Sequence, residues 1–227
     1  MGLDNYINTT YSAKEKPFTT YPRKLIQFLV SKYQIKEKSK VLDVCCGRGE
    51  FINEFINCGL EGYGVDFVNE ANILFSKVQM KTADLTKEKL PYPDNFFDVV
   101  YSKSMIEHFY YPEKIFEECR RVLKPGGIII TMTPMWEYNI SNFYEDFTHK
   151  TPFTKKSLEE IHKVFNFKEI KVESFKQLPV IWKRNIFSSL ISLISFLVRI
   201  FVPNFFKSKS KFIFFSKEIM LLSSAIK

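Results

Sequence analysis

The sequence predicts an α/β fold: a doubly wound, mostly parallel sheet of seven strands. Three observations predict it. Residues 41–51, VLDVCCGRGEF, carry a β-prone run into Gly47-Arg48-Gly49 and straight on into a helix-compatible run. Strand-like and helix-like segments alternate from residue 40 to residue 133, the order that gives parallel strands with helices on both faces. Polar residues gather at the C-terminal ends of those strands, where open sheets of this kind bind ligands.

Each element has a local reason. Residues 1–20 form an arm, polar and aromatic, without the apolar core of a signal peptide. Met1-Gly2 is not a myristoylation signal, because Tyr6 stands where Ser or Thr is required. A helix follows over 22–33, with Pro22 tolerated in its first turn. Strand 40–45 leads into the glycine turn and helix 50–58 leaves it. Strand 61–66 ends in Asp66, helix 69–76 follows, and strand 78–83 ends before Asp84-Leu85. Strand 96–102, helix 112–123, a Pro-Gly-Gly turn and strand 127–133 come next. Beyond Thr133 the chain is less regular. A polar-aromatic loop over 134–151 precedes a helix over 154–165, a sixth strand over 167–175 and a seventh within 212–225.

The chain has 227 residues, enough for a single domain spanning 1–227. Cysteines at 45, 46, 58 and 119 form no C-x-x-C pair, so neither a zinc knuckle nor a disulfide framework is expected, and no metal. That usage suits a reducing, cytoplasmic compartment. The net charge is +8, yet residues 176–211 carry seven Lys and Arg and no acid, leaving the remainder near neutral. So uneven a distribution is unlike a nucleic-acid-binding face.

The glycine turn admits two readings. A dinucleotide site wants a third glycine, but the spacing Gly47-x-Gly49-x-x-Ile52 lacks it. Glu50 at the helix mouth would also repel a pyrophosphate. Asp43, four residues before Gly47, suits a cationic ligand instead.

In that respect the run resembles the first motif of the class I S-adenosylmethionine-dependent methyltransferases, hydrophobics-(D/E)-x-G-x-G-x-G. Asp43, Gly47 and Gly49 match; Cys45 stands where the family has glycine. The resemblance continues in register from about Lys24 to Thr133, through EGYGVD at 61–66, VQMKTADL at 78–85, FFDVVYS at 96–102, SMIEHF at 104–109 and ECRRVLKPGGIII at 118–130. It implies a Rossmann-like methyltransferase fold whose last strand runs antiparallel, and a transferase using S-adenosyl-L-methionine. Asp43, Gly47 and Gly49 would hold the methionine portion, Asp66 the ribose, and Asp84 with Leu85 the adenine; Cys45, Phe67 and Ser102 complete the expected cofactor site.

His108, in the segment after the fourth strand, is the first candidate for a general base; its competing role is support of that loop. Asp146 and His149, in YEDFTHKTPFT at 144–154, are the second candidates; Asp-x-x-His spacing suits either an oriented imidazole or a helix cap. His162 reads as a helix-surface residue. Ser102-Lys103-Ser104-Met105 lacks the Asn/Asp-Pro-Pro-aromatic motif of enzymes that methylate base amines.

Between the last two strands the family usually has a short loop; here residues 176–211 form a basic, apolar, helical insert. Residues 186–206 are long enough to cross a bilayer, but Arg199 and Pro203 interrupt them. Arg184, Ser188, Ser192, Ser195 and Arg199 make one polar stripe on an otherwise apolar helix, and basic residues flank it. Residues 183–211 therefore suit an anionic membrane surface on the inner face, with internal packing as the competing account. The expected reaction is O-methylation of a small molecule, a glycan or a lipid-linked intermediate. RNA methylation through the basic insert, and an inactive scaffold of the same fold, are the alternatives.

Overall fold

The computed structural model describes residues 16–182, 186–202 and 210–227. Most of the arm therefore lies outside the described residues, as do Lys183, Arg184 and residues 203–209 of the insert. The elements are α1 (Tyr21–Lys32), β1 (Lys40–Val44), α2 (Glu50–Asn57), β2 (Glu61–Asp66), α3 (Glu70–Leu74), β3 (Gln79–Thr82), β4 (Phe97–Lys103), α4 (Pro112–Val122), β5 (Leu123–Pro134), α5 (Trp136–Asn139), α6 (Lys155–Val164), β6 (Lys168–Lys176), α7 (Ile186–Phe201), α8 (Lys211–Lys217) and β7 (Ile219–Ile226).

The seven strands form one sheet in the order β3-β2-β1-β4-β5-β7-β6. β1 pairs in parallel with both β2 and β4, so the winding reverses at β1. Ligands bind such sheets beyond that reversal, at the carboxyl ends of the strands. β7 lies antiparallel between β5 and β6. β6 is the outer edge. Its Lys168, Glu169, Lys171 and Glu173 leave it mostly exposed and charged, which discourages pairing with another chain.

Alternation along the strands makes two cores. Leu42, Val44, Val100, Ile129 and Leu221 face one way, toward Ile115 and Phe116 of α4 and Leu158 of α6. Val41, Val99, Tyr101, Ile130 and Leu222 face the other, toward Leu25, Ile26 and Leu29 of α1 and Ile52 and Phe55 of α2.

Three local expectations need correction. The Pro-Gly-Gly segment does not precede β5 but lies within it; Gly126 has φ +78°, and the β4–β5 register breaks between Phe97 and Val99. Helix 69–76 shortens to α3, one turn and a little more. His162 is fully buried, its Nε2 3.1 Å from Ser223 Oγ on β7, because α6 lays that face on the sheet.

Within the insert, Ser188 and Ser195 are the buried positions of α7. Lys176 Nζ donates to Ser192 Oγ at 3.2 Å, and the Arg199 guanidinium lies 4.7 Å from the Tyr138 ring centroid. The described part of the polar stripe, Ser188 to Arg199, thus faces the protein. Ile186, Phe187, Leu190, Leu193, Ile194, Leu197 and Ile200 are exposed. Among the described residues, no helix is long and apolar enough to cross a membrane.

Candidate active site

The site begins where β1 stops. Cys45, Gly47 and Gly49 all adopt the left-handed backbone region, with φ of +56°, +52° and +78°. Glycine does so freely, whereas a side chain is strained there. Gly49 is doubly required, since a Cβ on it would meet Ala71 Cβ at 2.6 Å. A Cβ on Gly47 would meet nothing within 4 Å among the described residues, so they leave that side of the turn open.

Two acids face this turn. Asp66 Oδ2 accepts the Gly47 N–H at 2.8 Å, and Oδ1 accepts from Phe67 N at 2.8 Å and Val68 N at 3.4 Å. Burial raises its carboxyl pKa, and those donors oppose the rise. Asp43 is 3% exposed, and its Oδ2 has no hydrogen-bond partner among the described residues. Burial, and then the nearby Asp66 charge, push the Asp43 carboxyl well up. An unpaired buried carboxylate oxygen is costly unless a cation or donor meets it. The cofactor implied by the resemblance carries an ammonium and a sulfonium, so these residues fit it.

Arg48 covers the turn from outside. Its guanidinium pairs with Glu50 at 2.8 Å, donates to the Lys16 carbonyl at 2.8 Å and lies 4.6 Å from the Phe18 ring centroid. The described end of the arm therefore lies across the glycine turn, and the acid at the start of α2 is paired.

The remaining expected cofactor residues are arranged differently. Phe67 follows Asp66 and is 36% exposed. Asp84 is turned into its own loop, accepting from Thr86 Oγ1 at 2.5 Å and pairing with Lys87 at 2.8 Å. Those partners hold its carboxyl below the usual range. Leu85 packs on the core. Ser102 is buried on β4, with its Oγ 3.5 Å from Thr131 Oγ1.

Beyond β4 the chain makes a short turn, Ile106–His108. Glu107 is fully buried there. Thr133 Oγ1 donates to its Oε2 at 2.9 Å, and its Oε1 has no partner among the described residues. The Glu107 carbonyl accepts from Lys150 N at 2.7 Å and Thr151 N at 3.0 Å, fastening the 140–153 loop over the strand ends. Burial pushes the Glu107 carboxyl up to about 7.

That loop brings the two histidine candidates together, their ring centroids 4.8 Å apart. Thr148 Oγ1 donates to Asp146 Oδ1 at 2.5 Å and lies 2.9 Å from His108 Nδ1. His108 Nδ1–H is therefore assigned as the donor to Thr148. His149 Nδ1 lies 2.6 Å from the Phe143 carbonyl, an acceptor only, so it too carries the proton. Both Nε2 atoms then keep their lone pairs. Burial, followed by the His149 neighbour, brings the His108 pKa down to about 4.

Asp146 thus orients His108 through Thr148. It does not cap the following helix, since Thr154 and Ser157 form the capping box of α6. Sequence reasoning missed Glu107 and Thr148 as parts of this cluster. The only signal was their adjacency to His108 and His149. Burial, and then charges that include Asp66, Asp43 and Glu107, push the Cys45 thiol well up.

A family model described as a methyltransferase domain matches residues 42–131. A phosphoethanolamine N-methyltransferase of Plasmodium falciparum is 31% identical over 160 residues, covering 63% of this chain and 58% of that protein. An uncharacterized protein of Methanocaldococcus jannaschii is 30% identical over 155 residues, covering 64% of this chain and 74% of that one. The chain spans only 24% to 40% of the length of the first three curated relatives it matches. Among solved structures, an S-adenosylmethionine-dependent methyltransferase of Archaeoglobus fulgidus superposes with a TM-score of 0.64 at 20% identity, covering 100% of both chains.

Proposed function

We propose that this chain, a class I S-adenosylmethionine-dependent methyltransferase, transfers a methyl group to an oxygen of a small molecule, a glycan or a lipid-linked intermediate. The observation that carries the donor half of this reading is the unpaired, buried Asp43 oxygen beside an open glycine turn. S-adenosyl-L-methionine supplies a methyl group on a positively charged sulfur, open to in-line displacement. Asp43 and the turn at Gly47 and Gly49 hold the methionine portion, and Asp66 with Phe67 the ribose. Adenine recognition by Asp84 requires its contacts to Thr86 and Lys87 to open; Leu85 packs beside it, while Ser102 lines the floor.

The acceptor half rests on the histidine pair. An alcohol must lose a proton during methyl transfer, and two imidazoles whose Nδ1 hydrogens are engaged, leaving Nε2 as the base, lie just beyond the end of β4. The phosphoethanolamine relative is named an N-methyltransferase, so support for an oxygen acceptor comes from this cluster and not from the family.

A second reading concerns location. The exposed apolar side of α7, with basic residues flanking it in sequence, supports docking on an anionic membrane surface. Internal packing already accounts for its serine side. RNA binding has less support: Lys176 bonds Ser192 and Arg199 packs on Tyr138, while Lys183, Arg184, Lys207 and Lys209 lie outside the described residues.

Equilibrium dialysis with labelled S-adenosyl-L-methionine tests the donor. Asp43→Asn should weaken uptake about 10- to 100-fold, the worth of a charge-assisted hydrogen bond, with the melting temperature retained. Unchanged uptake sinks the assignment, and no uptake by the intact chain leaves only an inactive scaffold.

A further inference from the structure

We infer that Glu107, His108 and His149 form a binding site for one divalent transition-metal ion, just beyond the end of β4. One ligand atom from each, a carboxylate oxygen and two imidazole nitrogens, lie within 4.8 Å of one another. An ion about 2.0–2.2 Å from each would draw them to separations of roughly 3–3.5 Å. Rotations of three side chains by about an ångström close that gap.

The surroundings are those of a metal site. Each histidine donates Nδ1–H away from the cluster, His108 to the Thr148 hydroxyl and His149 to the Phe143 carbonyl. Metal-bound histidines are characteristically held this way, with the second nitrogen fixing tautomer and ring orientation. Asp146 stands behind Thr148 as a further support. Glu107 is fully buried, Thr133 fixes its Oε2, and its Oε1 is left without a donor. With one candidate ligand atom from each residue inside 4.8 Å of the others, a cation among them would offset the cost of burying three acceptors together. Two imidazoles and one carboxylate favour a borderline ion such as Zn²⁺, Co²⁺ or Fe²⁺ over Mg²⁺ or Ca²⁺.

This inference deepens the proposed O-methylation and rests on it for its use, though ion binding itself does not. Three protein ligands leave coordination positions open, and a hydroxyl bound at one ionises more readily, as metal-bound water does. The hydroxyl proton leaves to solvent. The oxygen then forms the C–O bond while the methyl C–S bond breaks, and the sulfonium becomes a neutral thioether. With their Nε2 lone pairs on the ion, the histidines no longer serve as the general base, so the ion takes over the activation assigned to them above.

The test is Co²⁺ titration of the chelator-stripped full chain, by calorimetry and visible absorption. One equivalent should bind and give a ligand-field spectrum without a thiolate charge-transfer band. His149→Gln and Glu107→Gln should each weaken binding at least tenfold. Thr148→Val, which removes only the support behind His108, should weaken it about tenfold. Thermal melting of each variant verifies folding. Absent binding, binding unmoved in all three variants, or a thiolate band that implicates Cys45 or Cys46 would overturn the site. S-adenosylhomocysteine affinity on the same samples separates the failures. A chain that binds this product but no Co²⁺ refutes the metal alone; one that binds Co²⁺ but not the product keeps the ion and loses the methyltransferase reading.

Discussion

Residues 40–134 and residues 135–227 build one sheet by different means. The first stretch supplies β1 to β5 in regular alternation and ends its strands in short turns, with Asp43, Gly47, Gly49 and Asp66 at one rim. The second supplies an edge strand, a returning strand, the loop that places His149 beside His108, and a helix that turns its apolar side outward. Methyl donors are alike across a family and acceptors are not. On the function proposed above, the difference between the stretches would be a division of labour: the first would hold the donor, and the second would shape what receives the methyl group and where the protein sits. Damage to one should leave the other's ligand binding intact.

The largest expected effect lies in the second stretch. Leu193 and Leu197, one turn apart on the outer side of α7, are 55% and 42% exposed. If that side enters a membrane interface, replacing both by glutamate should cost about 3 kcal/mol or more of partition energy. Sedimentation with anionic vesicles would then show roughly a 100-fold loss, with donor binding unchanged. Vesicle binding as strong as the parent's removes the membrane reading and favours internal packing.

Next comes Gly49→Ala in the first stretch. The added Cβ meets Ala71 Cβ at 2.6 Å in a backbone region that alanine avoids. Strain and overpacking together should cost about 2–4 kcal/mol, a fall of roughly 4–16 °C in melting temperature. A variant that melts like the parent would show that the turn is looser than its geometry.

His162 gives an effect of up to about 3 kcal/mol, and its sign follows from burial. Its folded pKa of about 4 lies below the ordinary 6.5. Between those values the unfolded chain binds the extra proton and the folded chain does not. Stability is therefore complete above pH 6.5, falls as pH drops toward 4, and levels off below. Denaturant titrations should show a shallower decline in that window for His162→Gln. Parallel profiles would mean that the ring is protonated in place.

How much of this was legible in the sequence follows the same division. The glycine turn was readable because its cause is local: chain reversal at Gly47 and Gly49, and alternation within each strand. The His108–Thr148–Asp146 chain was not, since a loop 40 residues downstream completes it and no periodicity reports a loop's fold. His162 was misread because α6 buries few residues, and a polar side chain on a sparsely apolar helix looks external until Ser223 is seen beneath it. The serine stripe of α7 was read correctly as a stripe. Which side of it faces the body depends on how closely small side chains let a helix approach, and that is a property of the partner surface.

The smallest effect concerns the one departure from the family's glycine pattern. Cys45 holds φ +56°, where a side chain costs about 1–2 kcal/mol relative to glycine. Cys45→Gly removes that strain. It also loosens the unfolded chain by about 0.5–1 kcal/mol and gives up packing of a half-buried thiol on the core. These changes oppose each other, so net stability should move by less than about 1 kcal/mol, or within about 4 °C of melting temperature. Cys45→Val keeps the strain and adds a branched Cβ, so it should melt lower than either. If instead the glycine variant lost several kcal/mol or its donor affinity, the thiol would have a part in the site that its size alone does not explain, and the first stretch would be less purely generic than the comparison with the second implies.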